Sequence, residues 1–237
     1  MQFEDHEVID SQFNAVEASR TFFANVYKYM FLALTVSGLV AYYSAATGWY
    51  VNLVFGADGS FSAMGYVIMF APLALVLLIQ SRVNKMSFGS VMLLYIVYSV
   101  LIGISLSFIF LIYTSGTIAS TFFITAGTFG GMAVLGYTTK ADLSKMGSLL
   151  YMLFIGIIIA SVVNVFMGSE MIDYIISFVG LFVFTGLTAW EMQRLKKVSG
   201  NPEVSGELRK KHELMGGLIL YILFINLFLS ILRFTGD

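Results

Sequence analysis

The basic residues of this chain are sorted. Of its 13 Lys and Arg, all but Arg233 fall in four stretches: Arg20 and Lys28; Arg82 and Lys85; Lys140 and Lys145; and Arg194, Lys196, Lys197, Arg209, Lys210 and Lys211. Charge-poor apolar segments run between them, two at a time until the last. A chain that crosses a bilayer repeatedly and keeps Lys and Arg on the cytoplasmic side has this pattern. Composition agrees: 58% of residues are hydrophobic and 11% charged, with a mean hydropathy of +0.86. Soluble domains carry about 25% charged residues, so most of this surface does not face water.

A helix needs about 20 residues to span the hydrocarbon core. The charge-poor segments place crossings at about 27–47, 61–80, 146–167, 174–190 and 215–232. The uncharged run 86–139 is long enough for two more, divided at the polar patch Tyr113, Thr114, Ser115, Gly116, Thr117. The expected fold is therefore an all-α integral membrane protein of seven transmembrane helices. Residues 1–22 are read as a polar cytoplasmic tail, or a short surface helix, and 23–237 as a single seven-helix domain. Glu4, Asp5, Glu7, Asp10 and Glu17 argue against a signal peptide. Gly48, Trp49 and Tyr50 suit an interfacial aromatic belt. Loops after the first, third and fifth spans (near Asp58, Ser115 and Glu170) hold no Lys or Arg. They are expected outside, with the N-terminus cytoplasmic and, by parity, the C-terminus outside. Arg233 then snorkels to the headgroups; a six-span arrangement with a re-entrant last segment would put it inside instead. Gly127 and Gly131, in the fourth span, have the spacing for close helix approach, within the bundle or at a dimer interface.

Several activities are excluded by residue type. The chain has no Cys, which removes disulfides, Cys-ligated zinc and iron–sulfur clusters. Its only histidines, His6 and His212, fall outside the spans, so neither interhelical haem ligation nor a membrane Ser–His protease is supported. The last span has no Lys for a retinal Schiff base. Zinc-protease motifs and a phosphate-binding Gly-rich loop are missing as well. The net charge of −1 gives no basic face for nucleic acid. The expectation is a non-enzyme without cofactor: a conductor, a carrier or a membrane interaction partner. Among polar residues near the spans, Asn164 and Asn226 are amides able to hydrogen-bond between helices. Glu191, directly after Trp190, has two readings. It pairs at the headgroup level with Arg194 one turn on, or it turns into the bundle, where burial penalises its charge.

Three blocks then carry a resemblance. They are Lys140-Ala141-Asp142-Leu143-Ser144; Gly186-Leu187-Thr188-Ala189-Trp190-Glu191-Met192-Gln193-Arg194-Leu195-Lys196; and Leu220-Tyr221-Ile222-Leu223-Phe224-Ile225-Asn226-Leu227-Phe228 with Leu232-Arg233-Phe234. The chain resembles the Bax inhibitor 1-like family, the transmembrane Bax-inhibitor-motif proteins, in its bacterial form, over nearly its whole length after the tail. The resemblance implies six helices around a central seventh and a pH-sensitive calcium leak in the cell (inner) membrane. In bacterial members that leak is linked to two acidic residues sharing a proton, with a basic residue near the end of the second span as latch. Glu191 falls on the first acidic position, in place of the more usual aspartate. Arg82 or Lys85 supplies the basic one; the spacing leaves both open. Where the family commonly has an aspartate in the last span, this chain has Leu223. A shared-proton pair needs two carboxylates, and calcium, which takes six to eight oxygens, loses a ligand. The expected gate or cation site is thus Glu191, Arg82, Lys85 and Asn226, with Glu191 as the calcium ligand. The resemblance also implies an alternative: a non-conducting regulatory protein that binds a membrane protease or other membrane proteins.

Overall fold

The computed structural model describes residues 2–56 and 60–236, the side chains of residues 2–15 and 52 excepted. The elements are α1 (Gln2–Thr47), α2 (Val51–Val54), α3 (Ala63–Arg82), α4 (Phe88–Leu106), α5 (Ile109–Ile112), α6 (Ser115–Thr138), α7 (Ser144–Met167), α8 (Glu170–Ser199) and α9 (Gly206–Thr235), with a 3-10 turn, Val83–Lys85, after α3. Among the described residues seven helices are long and apolar enough to cross a membrane: Val16–Thr47, Ala63–Lys85, Phe88–Ile112, Ser115–Thr138, Ser144–Met167, Glu170–Ser199 and Gly206–Thr235. Helix is the expected form, because a backbone in lipid must satisfy its own N–H and C=O groups. The expected division of the long uncharged run occurs at Tyr113 and Thr114, between α5 and α6. The loop around Asp58 lies outside the described residues.

Local chemistry sets the helix ends. Ser62, Ser87 and Ser169 each accept an amide from the first turn of α3, α4 and α8, relieving donors that a helix start leaves unpaired. At the end of α7, Gly168 adopts φ 62°, the left-handed turn that stops a helix. Three helices outrun their apolar cores. The first crossing continues an unbroken helix that begins at Gln2. The sixth runs to Ser199, nine residues past Trp190, and the seventh starts at Gly206. The last is one continuous 30-residue helix.

The chain divides into two units, Met1–Tyr27 with Ala119–Asp237, and Lys28–Ile118. In the second of these, α3 packs along α4. The later part of α1 meets α4 closely enough that a Cβ on Gly103 would sit 2.8 Å from the Ser37 carbonyl oxygen. Tyr95 Oη donates to the Tyr29 carbonyl at 2.9 Å. Tyr50 departs from the interfacial reading. After Gly48 reverses the chain at φ 64°, Tyr50 is fully buried with Val54 and Ile68. Its ring meets Phe108 edge-on at 4.9 Å. Trp49 beside it is 46% exposed.

In the other unit α7 packs along α8 and α8 along α9. Phe122 and Phe129 of α6 meet the Phe224 ring of α9, and Phe23 of α1 meets Tyr137 of α6. Helix α9 is the most enclosed: 72% of its most apolar window is buried, against 6–28% for the other six. The close approach of α6 is at Gly136, where an added Cβ would collide with the backbone of Ala189 in α8. Gly127 and Gly131, the spaced pair singled out in the sequence, have nothing within 4 Å of a built Cβ. Close packing within the chain therefore falls on a different glycine of the same helix.

Candidate functional site

Helix α8 carries polar residues on two faces of its last turns. Glu191 and Arg194 lie three residues apart, so their side chains share one face. Gln193, Lys196 and Lys197, at three- and four-residue steps from Gln193, lie on another.

On the first face, Glu191 is 1% exposed. Arg194 closes on it as a fork, Nε to Oε2 at 2.8 Å and Nη2 to Oε1 at 2.6 Å. The guanidinium geometry matches both carboxylate oxygens at once, which makes this among the stronger polar contacts a protein builds. The Arg194 side chain remains 38% exposed, so the pair joins a buried anion to a cation in reach of water. Both sequence readings of Glu191 hold in part: it is turned inward, and its partner is Arg194. Helix α8 continues past it, so Glu191 lies within a helix rather than at its end.

A second buried carboxylate sits on α9. Glu213, 4% exposed, accepts a hydrogen bond from Asn25 Nδ2 of α1 at 3.0 Å. Arg209, one turn earlier, approaches it at 3.6 Å and also donates to the Ala18 carbonyl. The same guanidinium lies 5.2 Å from the Phe22 ring centroid. With the Ser19–Ser199 hydroxyl contact at 2.9 Å, these bonds fasten the early part of α1 to α8 and α9.

On the other face, Gln193 is 8% exposed and anchors the loop between α6 and α7. Its Oε1 accepts from the Leu143 amide at 2.9 Å, and its Nε2 donates to the Ala141 carbonyl at 2.8 Å. Lys196 Nζ donates to the Tyr137 carbonyl at 2.8 Å and lies 4.8 Å from that ring's centroid. Lys197 pairs with Asp142 at 3.3 Å. The hydroxyl and amide of Ser144 bond the Asp142 carboxylate and, with Lys197, hold its pKa below the usual range. Ala141, Asp142, Gln193, Lys196 and Lys197, with Thr139, Lys140 and Gly200, border an open cavity of about 440 Å³.

Of the residues expected at the gate, Glu191 is buried as described. Asn226 is half-buried and donates to the Ile222 carbonyl at 2.8 Å, satisfying itself within its own helix. Asn164 does bond between helices, donating to Asp173 of α8 at 2.6 Å. Arg82 ends α3 and Lys85 ends the following 3-10 turn; both are exposed, in the other unit. Leu223 is 4% exposed on α9. The Gln193–Lys197 face and the Glu213–Asn25 bond were not assigned from sequence. The first was detectable in the three- and four-residue spacing along α8. The second joins residues 188 positions apart and left no local signal.

Residues 19–237 match the family model described as "Inhibitor of apoptosis-promoting Bax1". The chain is 41% identical over 220 residues to the inner membrane protein YbhL of Escherichia coli strain K12, with 92% of each chain covered. It is 43% identical over 216 residues to an uncharacterized protein of Borreliella burgdorferi, covering 91% of each. To the uncharacterized protein RP147 of Rickettsia prowazekii it is 40% identical over 224 residues, 93% of this chain and 91% of that one.

Proposed function

The chain belongs to the Bax inhibitor 1-like membrane protein family, and from that premise we propose that it is a pH-sensitive calcium (cation) leak of the inner membrane, closed by the Glu191–Arg194 pair. The observation that carries this reading is the burial of Glu191 with both oxygens held by one guanidinium. An ionised carboxylate buried in this way depends on its counter-charge. A proton on Glu191 removes the attraction that holds Arg194, and the released guanidinium moves toward water. Glu191 then becomes available to line a path, with backbone carbonyls and water completing the oxygens that calcium requires. In this reading acidification raises flux. Arg194 does on the same helix what Arg82 or Lys85 was expected to do from the second span, and Asn226 lines the pathway only if its amide leaves Ile222.

The test is calcium flux into liposomes containing the purified protein. Glu191→Gln, which mimics the protonated carboxyl, is expected to raise flux at neutral pH and flatten its pH dependence. Arg194→Gln is expected to raise flux too. A Glu191→Gln protein with native flux and native pH response would reduce Glu191 to an anchor.

One observation favours the alternative. Leu223 is a buried leucine where the family's second acid commonly stands, which suits a non-conducting protein that regulates a membrane protease or other membrane proteins. Absence of calcium flux from the native protein at every pH would favour it.

A further inference from the structure

The cavity of about 440 Å³ at the α6–α7 loop is bordered by Thr139, Lys140, Asp142, Gln193, Lys196 and Lys197, and we propose that it binds the phosphate of an anionic phospholipid headgroup. This site goes beyond the gate and stands whether or not the chain conducts.

Charge is the first ground. Three ammonium groups and one carboxylate border the cavity, and the carboxylate is already committed to Ser144 and Lys197. Asp142 would repel a phosphate placed against it, so the anion sits toward Lys140 and Lys196. Preorganisation is the second. Gln193 pins the loop by two hydrogen bonds from a buried position. Lys196 is oriented by the Tyr137 carbonyl and ring, and it keeps further N–H groups to donate. Position is the third and selects the source of the phosphate. Thr138 ends one candidate span, Ser144 begins the next, and Ser199 ends another. The lining residues thus lie where spans meet water, the depth of lipid headgroups. Basic pockets at this depth attract anionic lipid, each Lys contributing through charge.

Delipidated full-length protein in detergent is titrated with phosphatidylglycerol, phosphatidylcholine or inorganic phosphate, and bound copies are counted by native mass spectrometry. We expect phosphatidylglycerol to be held in preference to phosphatidylcholine. Replacing Lys140→Gln together with Lys196→Gln should weaken that binding roughly thirtyfold. The pair Lys140→Arg and Lys196→Arg should restore it, and Lys28→Gln, which removes an exposed charge elsewhere, should leave it unchanged. If Lys196→Gln disturbs folding, as helix content would reveal, Lys140→Gln with Lys197→Gln takes its place: losing Lys197 leaves the Asp142 charge uncompensated beside the phosphate, and binding should weaken again. Equal retention of both lipids overturns the proposal, as does phosphatidylglycerol binding indifferent to the glutamine pairs. Inorganic phosphate binding as tightly, with the same lysine dependence, overturns the lipid assignment.

Discussion

Leu223 stands at the position where the resemblance leads one to expect a second acid. It is buried on α9, and an aspartate in a span costs roughly 2.5–3.5 kcal/mol on insertion scales unless it finds a partner or water. Leu223→Asp is expected to lower thermal stability in detergent and to make calcium flux in liposomes more steeply dependent on pH. A folded variant with the native pH response would remove position 223 from the gate. Asp142 offers a second residue-level test. Ser144 and Lys197 lower its pKa in the folded protein, so its contribution to stability is fully present above the unfolded value of about 4. It is lost as pH falls through the lowered folded value. Carbon NMR of the Asp142 carboxyl should show that value rising in Ser144→Ala; an unmoved titration would deny Ser144 its part.

At the level of helices, the close approach of α6 to α8 falls at Gly136, where α6 touches the backbone of Ala189. Gly136→Ala must push the two helices apart, and overpacking of this kind typically costs about 1–3 kcal/mol. Gly127→Ala meets nothing within 4 Å and replaces glycine with the best helix former. Thermal unfolding in detergent should therefore fall clearly for the first and hold or rise for the second. The sequence offered both glycines with the same intrinsic freedom. Which of them is an interface depends on how α6 is rotated about its axis, and contacts from α8 set that rotation. The extension of α8 past Trp190 was similarly hidden. A charge-poor window locates an apolar core, whereas a helix continues into polar sequence for as long as caps and tertiary bonds support it. Ser169 at one end and the Gln193 and Ser199 contacts at the other provide that support.

For the whole molecule, the sorting of basic residues predicts an orientation that labelling can test. A cysteine at Ser115 should react with an impermeant thiol reagent applied from outside, and one at Gly206 should not. The reverse pattern would overturn the charge argument, and a cysteine at Asp237 inaccessible from outside would return the six-span arrangement. The number of crossings and their approximate places were legible in the chain itself, because bilayer thickness and the cost of burying charge act on sequence segments one at a time. The family was legible for a related reason: its blocks are contiguous. Glu191 could be named from sequence but not oriented. Its inward turn and its fork with Arg194 follow from how α8 packs in its unit, which fixes the helical face each residue occupies. Tertiary structure alone decided that Tyr50 is core while Trp49 is exposed, that Glu213 holds Asn25, and that three lysines and a glutamine border one cavity. Those outcomes bring together residues distant in sequence, Phe108 with Tyr50, Asn25 with Glu213 and Lys140 with the polar face of α8, and no local rule of spacing or charge pairs them.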